Sequence, residues 1–221
     1  MVRRALVERR PWLLGSLLVA LSWWAFGDSD MVPGLFKIVW KAIPLAMLAI
    51  YAFQRHLGSD GTILSGMLAI AAMADGMSQL AYTAAATLMA FSFLLAIWLY
   101  SRNRRDHVVF SQKLLAGVLI GILPALAWFL LMGEIGQVVV TGYALLLGIM
   151  AAMAWTSRFS RYRVGLGAVL LVIAGLMFFA ITGPILRGSP LLTILIWPIY
   201  YAGQLMIATG VVGRMRRDLA A

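Results

Sequence analysis

A chain of 221 residues that is 63% hydrophobic and only 12% charged is not a soluble domain, which carries roughly 25% charged residues. With no cysteine, it is neither a disulfide scaffold nor a thiolate enzyme. Its apolar residues come in continuous blocks of about 20, the length that crosses a bilayer, and not in the alternating stretches of about 10 that build a barrel. The net charge of +10 raises the question of a nucleic-acid partner, which the placement of the charges answers.

Eight spans are predicted, at 12–27, 35–53, 62–81, 83–100, 114–132, 136–156, 164–183 and 190–212. The first follows a basic start and imitates a signal peptide. Its small-residue cleavage pattern is poor and more spans follow, so it reads as a retained helix. The linkers are short, which makes neighbouring helices antiparallel. No repeat, low-complexity tract or second domain is visible. The expectation is an all-α fold, a polytopic transmembrane helical bundle, with residues 1–221 forming one integral membrane domain.

Orientation follows from the basic residues. One side receives Arg3, Arg4, Arg9 and Arg10, then Arg55, then Arg102, Arg104, Arg105 and Lys113. It also receives Arg158, Arg161 and Arg163, and finally Arg214, Arg216 and Arg217. The other side has Arg187 with Asp28, Asp30 and Glu134. Both termini are therefore expected in the cytoplasm, in a plasma membrane of the bacterial inner-membrane type. The charge is a topology signal with an attraction to anionic headgroups. Membrane lipids are the expected partners, and nucleic acid is not.

Three charges fall within spans: Lys37, Lys41 and Asp75. An Asp or Lys at a helix centre costs about 2.5–3.5 kcal/mol on insertion scales, so such residues usually face the protein interior. Lys41 and Asp75 each lie roughly 9 Å from the outer end of their span, at 1.5 Å per residue. Spans two and three are antiparallel neighbours, so these two residues sit at matched depth and are expected to interact. Lys37 is one turn nearer the surface and snorkels outward.

Other polar groups join them. Ser78 and Gln79 follow Asp75 at i+3 and i+4, on one helix face. Pro44 cannot donate a backbone bond, which leaves the Trp40 carbonyl free. In span eight, "IYYAGQLMIATG" places Tyr200 and Tyr201 on one face with Gln204. The expected result is a small hydrophilic pocket in an apolar bundle.

Each group also has a bland reading. Lys41 and Asp75 could be an ion pair that fixes the packing of spans two and three. Gln79 and Gln204 could be interhelical glue, worth about 0.6 kcal/mol each. Tyr200 and Trp197 could be packing aromatics. The 13 methionines are soft core filler and not a metal site. His56 and His107 lie in loops with no second ligand, so no metal is expected. No histidine within a span completes a Ser-His-Asp set, and there is no phosphate loop or zinc motif. No cofactor is implied.

Burial favours the neutral form of a carboxylic acid, and a neighbouring cation favours the ionised form. In the first state Asp75 is a general acid. In the second it stabilises a developing positive charge. Either suits hydrolysis of an acid-labile ether in a lipid, through an oxocarbenium-like cation that water attacks.

Three motifs carry a resemblance: "KAIP" at Lys41–Pro44, "MAD" at Met73–Asp75 and "IYYAGQLMI" at Ile199–Ile207. In order and depth they resemble the lysoplasmalogenase family, also called the YhhN family, of eight-span membrane proteins. The resemblance implies hydrolysis of the vinyl ether bond of lysoplasmalogens, a lysophospholipid substrate, to a fatty aldehyde and a glycerophospho-headgroup. By position Asp75 would be the catalytic carboxylate, with Lys41 orienting it or contacting the substrate phosphate. Tyr201 and Gln204, with Gln79 and Ser78, would bind substrate. The chain departs from the pattern twice. Ala174 and Gly175 stand where the family commonly has Ser-Asp, and Ser92 stands where it often has His. Two alternatives follow: a catalytically degenerate relative that binds lipid or serves a structural role, and a small proton-coupled transporter built on the intramembrane acid.

Overall fold

A computed structural model describes residues 11–27, 29, 32–55 and 58–218. Arg3, Arg4, Arg9, Arg10, Asp28, Asp30 and His56 lie outside the described residues. Among those described, the structure is all-helical. The helices are α1 (Pro11–Phe26), α2 (Gly34–Phe53), α3 (Gly58–Met77), α4 (Tyr82–Arg102), α5 (Phe110–Leu130), α6 (Gln137–Thr156), α7 (Leu166–Thr182) and α8 (Pro190–Asp218). A π-helical turn, Arg161–Gly165, leads directly into α7.

These helices occupy the eight expected places, but they are not equivalent. Six are long and apolar enough to cross a membrane: α2, α4, α5, α6, α7 with its π-turn, and α8. Helix α1 has 16 residues, short of the ~20 needed to span the hydrocarbon layer. Helix α3 has 20 residues but is interrupted by Asp60, Asp75, two serines and four glycines. Its limits also correct the expected 62–81. The polar sequence "GSDG", read as part of a linker, forms the first turn, with Asp60 where an acid complements the helix dipole. The helix then ends at Met77.

The chain groups into two compact units, one up to Leu95 and one from Ala96 onward. In the first, α2 packs against both α1 and α3. Side-chain hydroxyls hold the helices to one another's backbones. Ser16 Oγ donates to the Pro44 carbonyl at 2.7 Å, Ser65 Oγ to Ala49 at 2.9 Å and Ser92 Oγ to Met67 at 2.8 Å. A hydroxyl in an apolar bundle needs such an acceptor, and helix carbonyls have a spare lone pair. Leu45, Leu48, Leu64 and Leu68 fill the centre with no exposure.

In the second unit α5 pairs with α6 and α7 with α8. The α7–α8 crossing is set by glycines. A Cβ on Gly167 would lie 2.8 Å from the Gly203 carbonyl oxygen, and one on Gly203 would lie 2.8 Å from that of Gly167. Without a hydrophobic driving force between helices in lipid, such close backbone contact is a main source of association. Large apolar side chains face outward in both units, among them Leu18, Phe36 and Phe53 in the first and Val138, Val139 and Leu191 in the second. An apolar exterior around a backbone that bonds internally is what a bilayer requires.

Candidate active site

Lys41 projects from the second turn of α2, and Asp75 lies two residues before the end of α3. The Lys41 ammonium donates to Ser78 Oγ at 2.7 Å. Ser78 Oγ in turn donates to the Asp75 backbone carbonyl at 2.6 Å. The hydroxyl hydrogen is thus committed to the backbone, and a lone pair is turned toward the cation. Asp75 is buried at 7% exposure. The structure therefore brings Lys41 onto the turn that carries Asp75, with Ser78 as the connecting group.

Two indoles complete this environment. The Lys41 ammonium lies 5.8 Å from the centroid of the Trp23 ring, near the outer reach of a cation–π contact. Trp23 packs edge-on to Trp40, with centroids 5.6 Å apart. Trp40 Nε1 donates to Ser22 Oγ at 3.0 Å. So α1 helps to position a residue of α2 that faces α3.

Gly76 makes the approach possible. A Cβ there would lie 3.1 Å from the Ile38 carbonyl oxygen and 3.4 Å from the Ala42 side chain. A larger residue would push α2 and α3 apart beside Lys41. Sequence reading missed this glycine. Its one available signal was a small residue directly after the buried acid.

Gln79 departs from expectation. The i+4 relation to Asp75 holds only if the helix continues, and α3 ends at Met77. Ser78 N still bonds the Ala74 carbonyl at 2.9 Å, but Gln79 N bonds Gly76 at 3.1 Å, a tighter i−3 turn. The Gln79 side chain is exposed. Lys37 is half-buried, one turn before Lys41.

In the second unit, Tyr201 is buried at 5% exposure and Gln204 at 1%, three residues apart on α8. Trp197 stacks on Tyr201, with centroids 6.4 Å apart and planes 21° from parallel, and leans on Tyr200 at 5.8 Å. Gln204 Oε1 is enclosed and accepts no hydrogen bond from the described residues. A buried amide oxygen left this way usually serves a bound water or a ligand donor. Tyr100 adds a buried hydroxyl that likewise makes no hydrogen bond among the described residues. Sequence reading had passed over it, because one tyrosine near the end of a span looks like an interface aromatic.

The two departures from the family pattern are also placed. Ser92 is 2% exposed and committed to the Met67 carbonyl. Ala174 is buried, and a Cβ on Gly175 would lie 2.9 Å from Leu147 Cδ2.

Apolar helices with an apolar exterior define a polytopic α-helical integral membrane protein, and its first unit holds a buried acid beside a hydrogen-bonded lysine and serine. The sequence profile of the YhhN family matches residues 36–211, so the chain belongs to that family. The match runs from α2 into α8 and includes Lys41, Asp75, Ser78, Tyr201 and Gln204. No curated protein matches the chain, and no solved structure does.

Proposed function

We propose that this protein is an intramembrane hydrolase of lysoplasmalogenase type, cleaving the vinyl ether of a lysophospholipid. The observation that carries the reading is the Lys41–Ser78 hydrogen bond on the turn of buried Asp75, in a chain of the YhhN family. Asp75 delivers a proton to the outer vinylic carbon, and positive charge develops on the carbon bonded to oxygen. Water adds to that carbon, and the carboxylate recovers a proton from it. The resulting hemiacetal breaks its C–O bond to release a fatty aldehyde and the glycerophospho-alcohol. Lys41, held by Ser78, orients the acid or receives the substrate phosphate. Tyr201 and Gln204 are substrate-binding residues in this reading. Both termini lie in the cytoplasm, as the basic residues direct.

The test is reconstituted protein with lysoplasmenylethanolamine, assayed for aldehyde. Wild type should release aldehyde, and Asp75→Asn should lower the rate by at least 10²-fold, the smaller end of general acid catalysis at about 10²–10⁴. In D₂O the aldehyde, trapped by reduction, should carry one deuterium on the carbon next to the former carbonyl. Equal aldehyde from wild type and Asp75→Asn refutes the reading.

A second reading has its own observation. At Gly175 the place of the family's second acid is occupied up to 2.9 Å by Leu147, which fits a relative that binds lysophospholipid without turnover. Co-purifying lipid and no aldehyde would select it.

A further inference from the structure

Within the second unit three polar segments converge at one end. The segment after α4 and the one after α6 are joined by an antiparallel bridge, Arg104 to Ser157, and by Arg158 N bonding the Asn103 carbonyl at 2.8 Å. Arg105 Nη2 donates to the Ser157 carbonyl at 3.0 Å. The π-turn brings in Arg161, whose guanidinium reaches the Gln112 amide oxygen at 2.6 and 3.2 Å once that amide is oriented to accept. Gln112 is 3% exposed, on α5. The end of α8 closes the group, because Gly210 packs on Arg163 and Val164 and Arg214 follows one turn later.

Arg105 lies below the ordinary arginine range, first through burial and then through the positive charges of Arg161 and Arg214. The positive charges of Arg161 and Arg214 are therefore felt at Arg105. Of these three arginines, only Arg214 has a carboxylate partner among the described residues, in an exposed pair with Asp218 at 3.0 Å. Arg105 and Arg161 are bonded only to neutral oxygens, which fixes their planes but leaves their charge uncompensated. Planar forks held in this way suit bidentate binding of a phosphate. Tyr162 beside them is 85% exposed, the amphipathic ring expected at headgroup level.

We propose that Arg105, Arg161 and Arg214 form a binding site for a phosphate group at the membrane surface, either that of an anionic phospholipid headgroup or free phosphate. The site shares no residue with the proposed hydrolase chemistry, so its test is independent of that reading.

The experiment is native mass spectrometry of the full chain in a neutral detergent, titrated with dioleoyl-phosphatidylglycerol, dioleoyl-phosphatidylcholine or inorganic phosphate. Phosphatidylglycerol should bind at least tenfold more tightly than phosphatidylcholine. Arg105→Gln and Arg161→Gln should each weaken it about fivefold, the worth of one basic residue near an anionic headgroup, whereas Arg187→Gln should not. Competition by millimolar inorganic phosphate identifies free phosphate as sufficient. Its failure to compete identifies the lipid headgroup. Arg161 is exposed, so Arg161→Gln carries the test if Arg105→Gln does not fold. Equal binding of the two lipids, or equal weakening by Arg187→Gln, overturns the proposal.

Discussion

Replacing Ser78 with alanine removes one oxygen from the candidate site and leaves the Lys41 ammonium short of its acceptor at 2.7 Å. Hydrogen bonds to charged groups contribute about 1.5–3 kcal/mol. Interhelical polar pairs in a bilayer average about 0.6 kcal/mol, with a maximum near 1.7. Lys41 and Ser78 are both half-buried, so other partners can partly replace the hydroxyl, and the membrane range governs. The expected loss is about 1–1.5 kcal/mol. Ser78→Ala also removes the bond to the Asp75 carbonyl, but that loss is the same whatever residue stands at 41. A double-mutant cycle with Lys41→Met isolates the pair, with an expected coupling of about 1 kcal/mol. The assay is unfolding of the reconstituted protein in bicelles by steric trapping. A coupling below about 0.3 kcal/mol, within the usual additivity error, would refute the assignment of Ser78 as the anchor of Lys41.

Other outcomes are expected from the same geometry. Gly76→Ala should lower both stability and aldehyde release, because its Cβ would press on the Ile38 carbonyl. About 1 kcal/mol is expected from the unfolding assay, at the low end of overpacking. Gly203→Ala should cost about 1–3 kcal/mol at the α7–α8 crossing, while Gly117→Ala, with open space around it, should be neutral or raise stability toward the ~1 kcal/mol that helix propensity allows. Gly175→Asp, which restores the family's acid, should fold less stably and fail to raise the aldehyde rate, since Leu147 occupies the space; a rate increase would show that the side chain yields.

The helices were legible because a bilayer permits few alternatives: long apolar blocks must bond internally, and Gly34–Phe53 and Gln137–Thr156 fall within a residue of their expected limits. The start of α3 was not, because Gly58, Ser59 and Asp60 form a helical turn although their composition is that of a loop. That offset moved the helix end to Met77. It left Ser78 on the turn with Asp75 and put Gln79 outside. The nearness of Lys41 to the turn of Asp75 holds through Ser78, although with α3 ending at Met77 the two residues are no longer equally far from their helix ends. Close approaches at Gly76 and between Gly167 and Gly203 were invisible, because a single sequence does not say which face of a glycine meets another backbone. The Arg105 cluster was seen only as a sum of charges, since its grouping depends on pairings between loops.

The composition of α3 bears on how the protein is made. A segment carrying Asp60 and Asp75, and short of the apolarity of its neighbours, is a poor substrate for insertion by itself, since an acid within a span is costly at the translocon, up to about 2.5–3.5 kcal/mol at the helix centre. Helix α2 precedes it in synthesis and brings the Lys41 ammonium that binds the same turn. Co-translational entry of α2 and α3 as a hairpin would spread that penalty over both helices. Selection for the chemistry of this turn would then also be selection on biogenesis, and variants at Lys41 would show first as lost protein in the membrane.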